Sequence, residues 1–297
     1  MNLAVCAIVV TFNRKALLRE CLRALLDQTR SLELVVVIDN ASTDATGELI
    51  GAEFAHEPRI RYVRLPHNVG GAGGFRHGMK LGHELGFEWL WLMDDDTIPS
   101  RDALQALLEA TDRFPADSRP RVLSSKVLWT DGSLHPMNVP TIKRSQMDPE
   151  CMFLAAEHGT ISVRWASFVS LLVHRGVVDE FGLPYGDYFI WNDDTEYTAR
   201  VLRQNFGVVV PQSTVTHKTP QKHSPIEAAP ERSYYQARNV LWMILRSPAW
   251  EMDEKVKIGM IHLRWLIAYL SRARFSWPAV RAISRGVRDG LLKVPVR

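Results

Sequence analysis

Trp89-Leu90-Trp91-Leu92-Met93 runs directly into Asp94-Asp95-Asp96. A short apolar stretch of this kind reads as a buried strand, and an unpaired carboxylate is expensive to bury. Three carboxylates at a strand end are most simply explained by a divalent cation, Mg2+ or Mn2+, which takes oxygen ligands and keeps positions open for substrate phosphates. The plain alternative is a solvated acidic turn ahead of a helix starting near Ser100. A second acidic cluster, Trp191-Asn192-Asp193-Asp194-Thr195-Glu196, precedes a predicted helix carrying Arg200 and Arg203. Its acids could simply complement the helix dipole. One carboxylate held near a metal–phosphate centre could instead take the proton of an incoming hydroxyl. Paired carboxylates push their pKa values apart, which suits that task. Trp191 reads as buried and points to a cleft. His217, beyond Pro211, would serve as an imidazole ligand only if the fold brings it beside Asp94 and Asp96, a donor set that suits Mn2+.

Two further segments suit nucleotide binding. Asp39-Asn40-Ala41-Ser42-Thr43-Asp44 ends a predicted strand, where an acidic residue can hydrogen-bond a ribose or base. Ser42 and Thr43 read as helix caps, and Asp44 as either cap or ligand. Asn68-Val69-Gly70-Gly71-Ala72-Gly73-Gly74-Phe75-Arg76 opens a helix, and its glycines would let backbone approach a phosphate or sugar. The segment is a poor dinucleotide fingerprint. It follows the third strand, whereas the first leads into Thr11-Phe12-Asn13-Arg14 with no glycine. Asn68 and Arg76 beside the glycines favour ligand contact over a flexible turn.

The elements that must hold these residues alternate through the first half. Strands are predicted at 3–10, 32–38, 59–65 and 87–93, and helices at 15–28, 43–51, 75–85 and 101–114. This order predicts an α/β fold with a mostly parallel central sheet flanked by helices. Residues 128–150 read as loop. A strand at 163–173, a helix near Val177, a helix at 196–204 and a strand at 206–210 follow. From 231 onward the pattern is all helical, at 231–245, 253–272 and 278–292.

The 297 residues suffice for one large or two small domains, and 46% hydrophobic content excludes a disordered chain. Three scattered cysteines predict a reducing compartment without disulfides. The first residues carry no basic leader segment, and the longest apolar candidate, 258–270, is interrupted by His262 and Arg264. A cytoplasmic protein is expected. The net charge of +3 hides an asymmetry: residues 255–297 hold ten Lys or Arg and one acid, so the remainder is net negative. The helix around 260–270, followed by Arg272, Arg274, Phe275 and Trp277, suits an anionic membrane surface. The alternative is a helix pair packed on the body with a solvated basic face. A nucleic-acid partner is not expected.

Together, Val9-Val10-Thr11-Phe12-Asn13-Arg14 and the four motifs above resemble family 2 glycosyltransferases of the GT-A fold over about residues 3–245. Within that family the Gly70–Phe75, Met93–Asp96 and Trp191–Tyr197 segments look most like bacterial galactofuranosyltransferases and neighbouring rhamnosyltransferases. The resemblance implies a donor site built from Thr11, Asn13, Arg14, Asp39, Asp44, Asn68, Gly70, Gly71 and Arg76, with Asp95 facing the donor ribose. It makes Asp94 and Asp96 the metal-binding pair, completed by His217, with Mn2+ or Mg2+ as cofactor. Asp194 matches the catalytic base. An alignment anchored on Trp191 would favour Asp193, because Asn192 is inserted relative to the Trp-Asp-Asp pattern. Trp191, Glu196 and Arg200 fall on the acceptor side.

The implied activity is metal-dependent, inverting transfer of a sugar from a UDP- or dTDP-linked donor to a cell-surface glycan or polyprenyl-linked acceptor. Galactofuranose is the first expectation and rhamnose the second. The implied organisation is a catalytic domain over 1–230, with a nucleotide-sugar half at 1–120 and an acceptor half at 121–230, followed by a helical region at 231–297. That region would place the enzyme peripherally on the inner face of the cell membrane. A nucleotidyltransferase or a non-catalytic binding module are the readings from other classes.

Overall fold

The computed structural model describes residues 4–143, 148–222 and 229–296. Leu3 and Arg297, included in the first-strand and basic-tail readings, lie outside them. Strands β1 (Val5–Thr11), β2 (Leu34–Asp39) and β4 (Trp89–Asp94) are almost wholly buried. Burial on both faces is why they read as continuous apolar runs rather than alternating ones. With β3 (Ile60–Arg64) they form a parallel block, covered by α1 (Lys15–Leu26), α2 (Thr46–Glu53) and α3 (Gly70–Glu84). The remaining elements are β5 (Thr97–Pro99), α4 (Ala103–Asp112), β6 (Val122–Leu128), β7 (Thr141–Ile142), α5 (Pro149–Glu157), β8 (Ile161–Trp165), β9 (Leu171–His174), α6 (Arg175–Phe181), α7 (Asp193–Leu202) and β10 (Gly207–His217). Three long helices follow: α8 (Pro230–Arg246), α9 (Met252–Arg272) and α10 (Trp277–Leu292).

The strand order is β3-β2-β1-β4-β9-β6-β10-β8-β7, with β5 on β10. The sheet is mixed: β9 runs antiparallel to both β4 and β6, while β6 and β10 are parallel. Register sets the site. Thr11 pairs with Asp39, and Val10 with Asp94, so three strand ends open on one edge.

Four predicted elements differ from those observed, the first being α3, which begins at Gly70, five residues ahead of the predicted start at 75. The run 163–173 is two strands, β8 and β9, which lie far apart in the sheet. Between them Ser170 takes φ 56°, and its hydroxyl meets Ser125 Oγ at 2.6 Å and accepts from Trp91 Nε1 at 3.0 Å. An apolar run carries no signal for a corner held by buried polar contacts. Strand β10 continues past Pro211 to His217, because a register shift between Val210 and Thr214 absorbs the proline's missing N–H. Helix α7 starts at Asp193, so the acidic cluster lies in its first turn rather than ahead of it.

The glycines of α3 mainly serve packing. A Cβ at Gly74 would lie 2.5 Å from Val10 Cγ1, and one at Gly78 would lie 2.2 Å from Ile8 Cγ2. The helix therefore presses directly onto β1. At the other end of the chain, α8–α10 pack against the sheet-bearing body. Arg164 of β8, 1% exposed, pairs with Glu254 at the start of α9 through Nε at 3.0 Å and also donates to the Ala199 carbonyl.

Candidate active site

Strand β5 follows the acidic triplet immediately and pairs with β10, setting Thr97 opposite His217. Lys218 N then donates to the Asp96 carbonyl at 2.8 Å. This ladder brings His217 to Asp94 and Asp96, and ligand atoms of the three lie within 4.8 Å of one another. His217 Nε2 lies 3.0 Å from Asp96 Oδ1, a buried oxygen with no well-directed hydrogen bond. The other ring nitrogen, Nδ1, faces Asn138 Oδ1 at 2.8 Å. A proton on Nδ1 satisfies Asn138 and leaves the neutral imidazole's lone pair on Nε2 aimed at a carboxylate. Two acceptors at that distance need a proton or a cation between them, and carboxylate oxygens with an imidazole nitrogen suit Mn2+ or Mg2+.

Thr11, at the end of β1, and Arg14 just beyond it contact the same acidic triplet. Thr11 Oγ1 donates to Asp95 Oδ2 at 2.7 Å, and Arg14 Nη1 reaches Asp96 Oδ2 at 2.6 Å and Asp95 Oδ1 at 3.4 Å. Burial raises the Asp95 pKa to about 7 despite Arg14. Burial and then the Asp96 charge push Asp94 to about 6. Burial alone would raise Asp96 as well, but the contact and charge of His217, with Arg14, turn its net shift downward. For His217 burial opposes the charged form, yet Asp96 and Asp94 carry its pKa upward.

Asp193 and Asp194 open α7 beside this cluster. Burial and the Asp194 charge raise Asp193 well above the carboxylate range, with a further push from Asp94. Asp194 is raised too by burial, but Thr195 N at 2.6 Å and Thr195 Oγ1 at 3.2 Å both donate to its Oδ1 and counter the shift. Phe189, Trp191 and Asn192, just ahead, all have φ of 64–66°. Such backbone persists only where its surroundings hold it. Helix α8 does so: the Asn239 side-chain amide donates to the Tyr188, Ile190 and Trp191 carbonyls, and Arg238 Nη2 to those of Asp187 and Tyr188.

Comparison with known proteins gives this constellation a family. The profile of Glycosyl transferase family 2 matches residues 6–162. Galactofuranosyltransferase GlfT1 of Mycolicibacterium smegmatis is 38% identical over 212 residues, 70% of this chain and 69% of that protein. The chain belongs to glycosyltransferase family 2. Glycosyltransferase GlyG of Streptococcus pneumoniae is 24% identical over 39% of this glycosyltransferase and 38% of its own length. Among solved structures, S. aureus TarS 1–349 in complex with UDP-GlcNAc superposes with a TM-score of 0.63 at 17% identity, covering 98% of this chain and 82% of that one. Against the longer TarS structure the chain spans 43% of its length. Mannosyltransferase PcManGT from Pyrobaculum calidifontis, in complex with GDP-Man and Mn2+, gives 0.57 at 19% identity, covering 97% and 81%. At such identities these likenesses establish the GT-A fold.

Within the glycosyltransferase, the residues expected to bind donor have different surroundings. Asp39 Oδ1 accepts from Ser42 N at 2.8 Å and its Oδ2 from the Tyr62 hydroxyl, with Arg64 at 4.0 Å. Asn13 ties the first two strand-end loops together, accepting from Thr43 N at 2.7 Å and donating its own N–H to Ser42 Oγ. Asp44 spends its oxygens on Lys15 N, at the start of α1, and on the Thr46 hydroxyl, and the residue at the N-cap of the helix that follows it is Ala45. Gly70, at φ 74°, lies against the Phe189 carbonyl, where a Cβ would sit 2.0 Å from the oxygen. Its lack of a side chain therefore serves the loop contact. Gly71 faces open space. Asn68 Oδ1 accepts from Gly70 N, and Arg76 donates to the Pro184 carbonyl. Both line a cleft of about 660 Å³ whose opposite wall includes Phe189, Tyr235, Arg238 and Trp242.

The acceptor-side expectations divide. Trp191 is half-buried on the strained loop. Glu196 and Arg200 are 0% and 6% exposed and pair at 3.0 Å. Glu196 also accepts from Ser247 Oγ, and Arg200 donates to the Phe181 and Leu183 carbonyls. In this conformation the pair ties α7 to its neighbouring loops and presents no face to an acceptor. Sequence reading missed Asn138, Tyr62, Arg64, Arg238 and Asn239. Asn138 fell in a segment read as loop, and the two α8 residues looked like ordinary helix polar positions.

Proposed function

We propose that this glycosyltransferase transfers galactofuranose, with inversion, from UDP-galactofuranose to a hydroxyl of a cell-surface glycan or polyprenyl-linked acceptor. The observation that carries the mechanism is the Asp94–Asp96–His217 cluster standing beside Asp193 and Asp194. A divalent cation held by those three residues would neutralise charge on the departing nucleoside diphosphate. Asp194 takes the acceptor hydroxyl proton as that oxygen attacks the anomeric carbon from the face opposite the diphosphate. Burial raises both carboxyls, and the Asp194 charge raises Asp193 further, while the Thr195 contacts hold Asp194 back, which favours Asp194 as the base. A single displacement needs no enzyme nucleophile. The likeness to GlfT1 supports galactofuranose as the sugar.

The test is release of nucleoside diphosphate from UDP-galactofuranose, UDP-galactopyranose, dTDP-rhamnose, UDP-glucose and UDP-N-acetylglucosamine, with and without a lipid-linked glycan acceptor. Turnover of UDP-galactofuranose alone, lost in chelator and reduced about 10²–10⁴-fold in Asp194→Asn with UDP binding retained, is the expected result. Preference for dTDP-rhamnose would establish the alternative donor. No turnover and no nucleotide binding would overturn the proposal.

A further inference from the structure

Helix α9 has two unlike faces. One buries His262, Trp265 and Tyr269, the last two packed with Ala237 of α8 and with Ala279 and Ile283 of α10. The other carries Met252, Val256, Met260, Leu263 and Ile267, a single stripe at helical period, each more than half exposed. At the turn that ends the helix, Arg274 and Phe275 have φ of 49° and 51°, and Phe275 and Trp277 are 64% and 73% exposed. A contiguous apolar surface of this kind marks an interaction site. Arg264, Arg274 and Arg281 stand exposed beside it.

We propose that the α9 stripe and the Phe275–Trp277 turn form a face that lies on an anionic phospholipid bilayer. Charge selects this occupant. The stripe's spacing would also suit a helix–helix seam with a second copy. Beyond Glu254, however, the one acid in the sequence is Asp289, which already pairs with Arg288 and Lys293. The acids at the start of α9, Glu251, Asp253 and Glu254, already pair with Arg203, Lys257 and Arg164, so a second copy would offer the cationic flanks little spare counter-charge, whereas anionic headgroups supply it. Among the described residues no helix is long and apolar enough to cross a membrane, so α9 lies along the surface. Arg164–Glu254 and Arg203–Glu251 fasten the start of α9 to β8 and α7, so docking also fixes how the catalytic cleft faces the bilayer. The surface is separate from the Asp94–Asp96–His217 cluster and independent of the donor sugar.

The experiment is flotation of the full chain with phosphatidylcholine vesicles and with mixed phosphatidylcholine–phosphatidylglycerol vesicles. Wild type should float with the anionic vesicles and less so as salt is raised. Leu263→Glu/Ile267→Glu and, separately, Phe275→Ser/Trp277→Ser should each weaken binding about tenfold or more. Donor turnover in solution and circular dichroism, both unchanged, show that the variants fold. Equal flotation of wild type and both variants, or no flotation of wild type, overturns the proposal. So does a wild-type dimer in light scattering that Leu263→Glu/Ile267→Glu converts to monomer, because the occupant is then a second copy.

Discussion

Asn138 is expected to set the metal affinity of His217 without touching the metal. Its Oδ1 lies 2.8 Å from His217 Nδ1, its Nδ2 donates to Ser167 Oγ at 3.0 Å, and it is 8% exposed. In Asn138→Ala the imidazole loses the partner that keeps the proton on Nδ1 and the lone pair on Nε2. Outer-sphere partners of this kind are worth about 10–100-fold in metal affinity, or about 1.4–2.8 kcal/mol. The buried Nδ1–H left unpaired costs about 1–3 kcal/mol of stability in addition. Mn2+ titration followed by electron paramagnetic resonance of the free protein measures the first quantity, and urea unfolding the second. Asn138→Asp should stay within about threefold of wild type in Mn2+ affinity, since a carboxylate oxygen accepts the same proton. His217→Ala, which deletes a ligand, should lose at least as much as Asn138→Ala. Wild-type Mn2+ affinity in a folded Asn138→Ala protein, or Asn138→Asp as weak as Asn138→Ala, would refute this account of the site.

Two other perturbations probe the scaffold. Gly70→Ala forces a Cβ to 2.0 Å from the Phe189 carbonyl oxygen at φ 74°, and should cost about 2–4 kcal/mol. Gly71→Ala, with nothing within 4 Å, should lie within about 0.5 kcal/mol of wild type. Thermal melting of the pair checks the contrast, and equal melting temperatures would show that the Gly70 contact is not tight. Burial lowers the His262 pKa from 6.5 to about 4. The unfolded chain therefore binds a proton first, so this stability is fully present above pH 6.5 and is lost as pH falls from 6.5 towards 4. Between pH 7.5 and 5 the loss is about 2 kcal/mol, at 1.36 kcal/mol per pH unit below 6.5. Urea unfolding at the two pH values, with His262→Phe losing that slope, tests it.

The strand-end chemistry was legible because burial leaves a local trace. Trp89–Met93 ending in Asp94–Asp96, and the apolar run of β1 ending at Thr11, carry their own boundary signals. The long C-terminal helices were equally plain from their 3.6-residue period. The α3 glycines were visible but their role was not. Close backbone approach to a phosphate and close approach to β1 or to Phe189 make the same demand on sequence, namely no Cβ. Glu196 and Arg200 looked like site residues from their company, but an i,i+4 pair buried against Ser247 and the Phe181 carbonyl reads identically in sequence to an exposed one.

The sequence by itself determined the family, the α/β alternation and the residue types of the acidic centre, because these depend on local pattern and on the cost of burying carboxylates. Tertiary structure decided what those residues can do together. The antiparallel pairing of β5 with β10, across more than a hundred intervening residues, puts His217 against Asp96. Asn138 reaches the imidazole from a segment with no regular period. Asn239 and Arg238, in a helix beyond the expected catalytic boundary, hold the loop that presents Asp193 and Asp194. None of these contacts is local, so each depends on register and packing that a linear pattern does not encode.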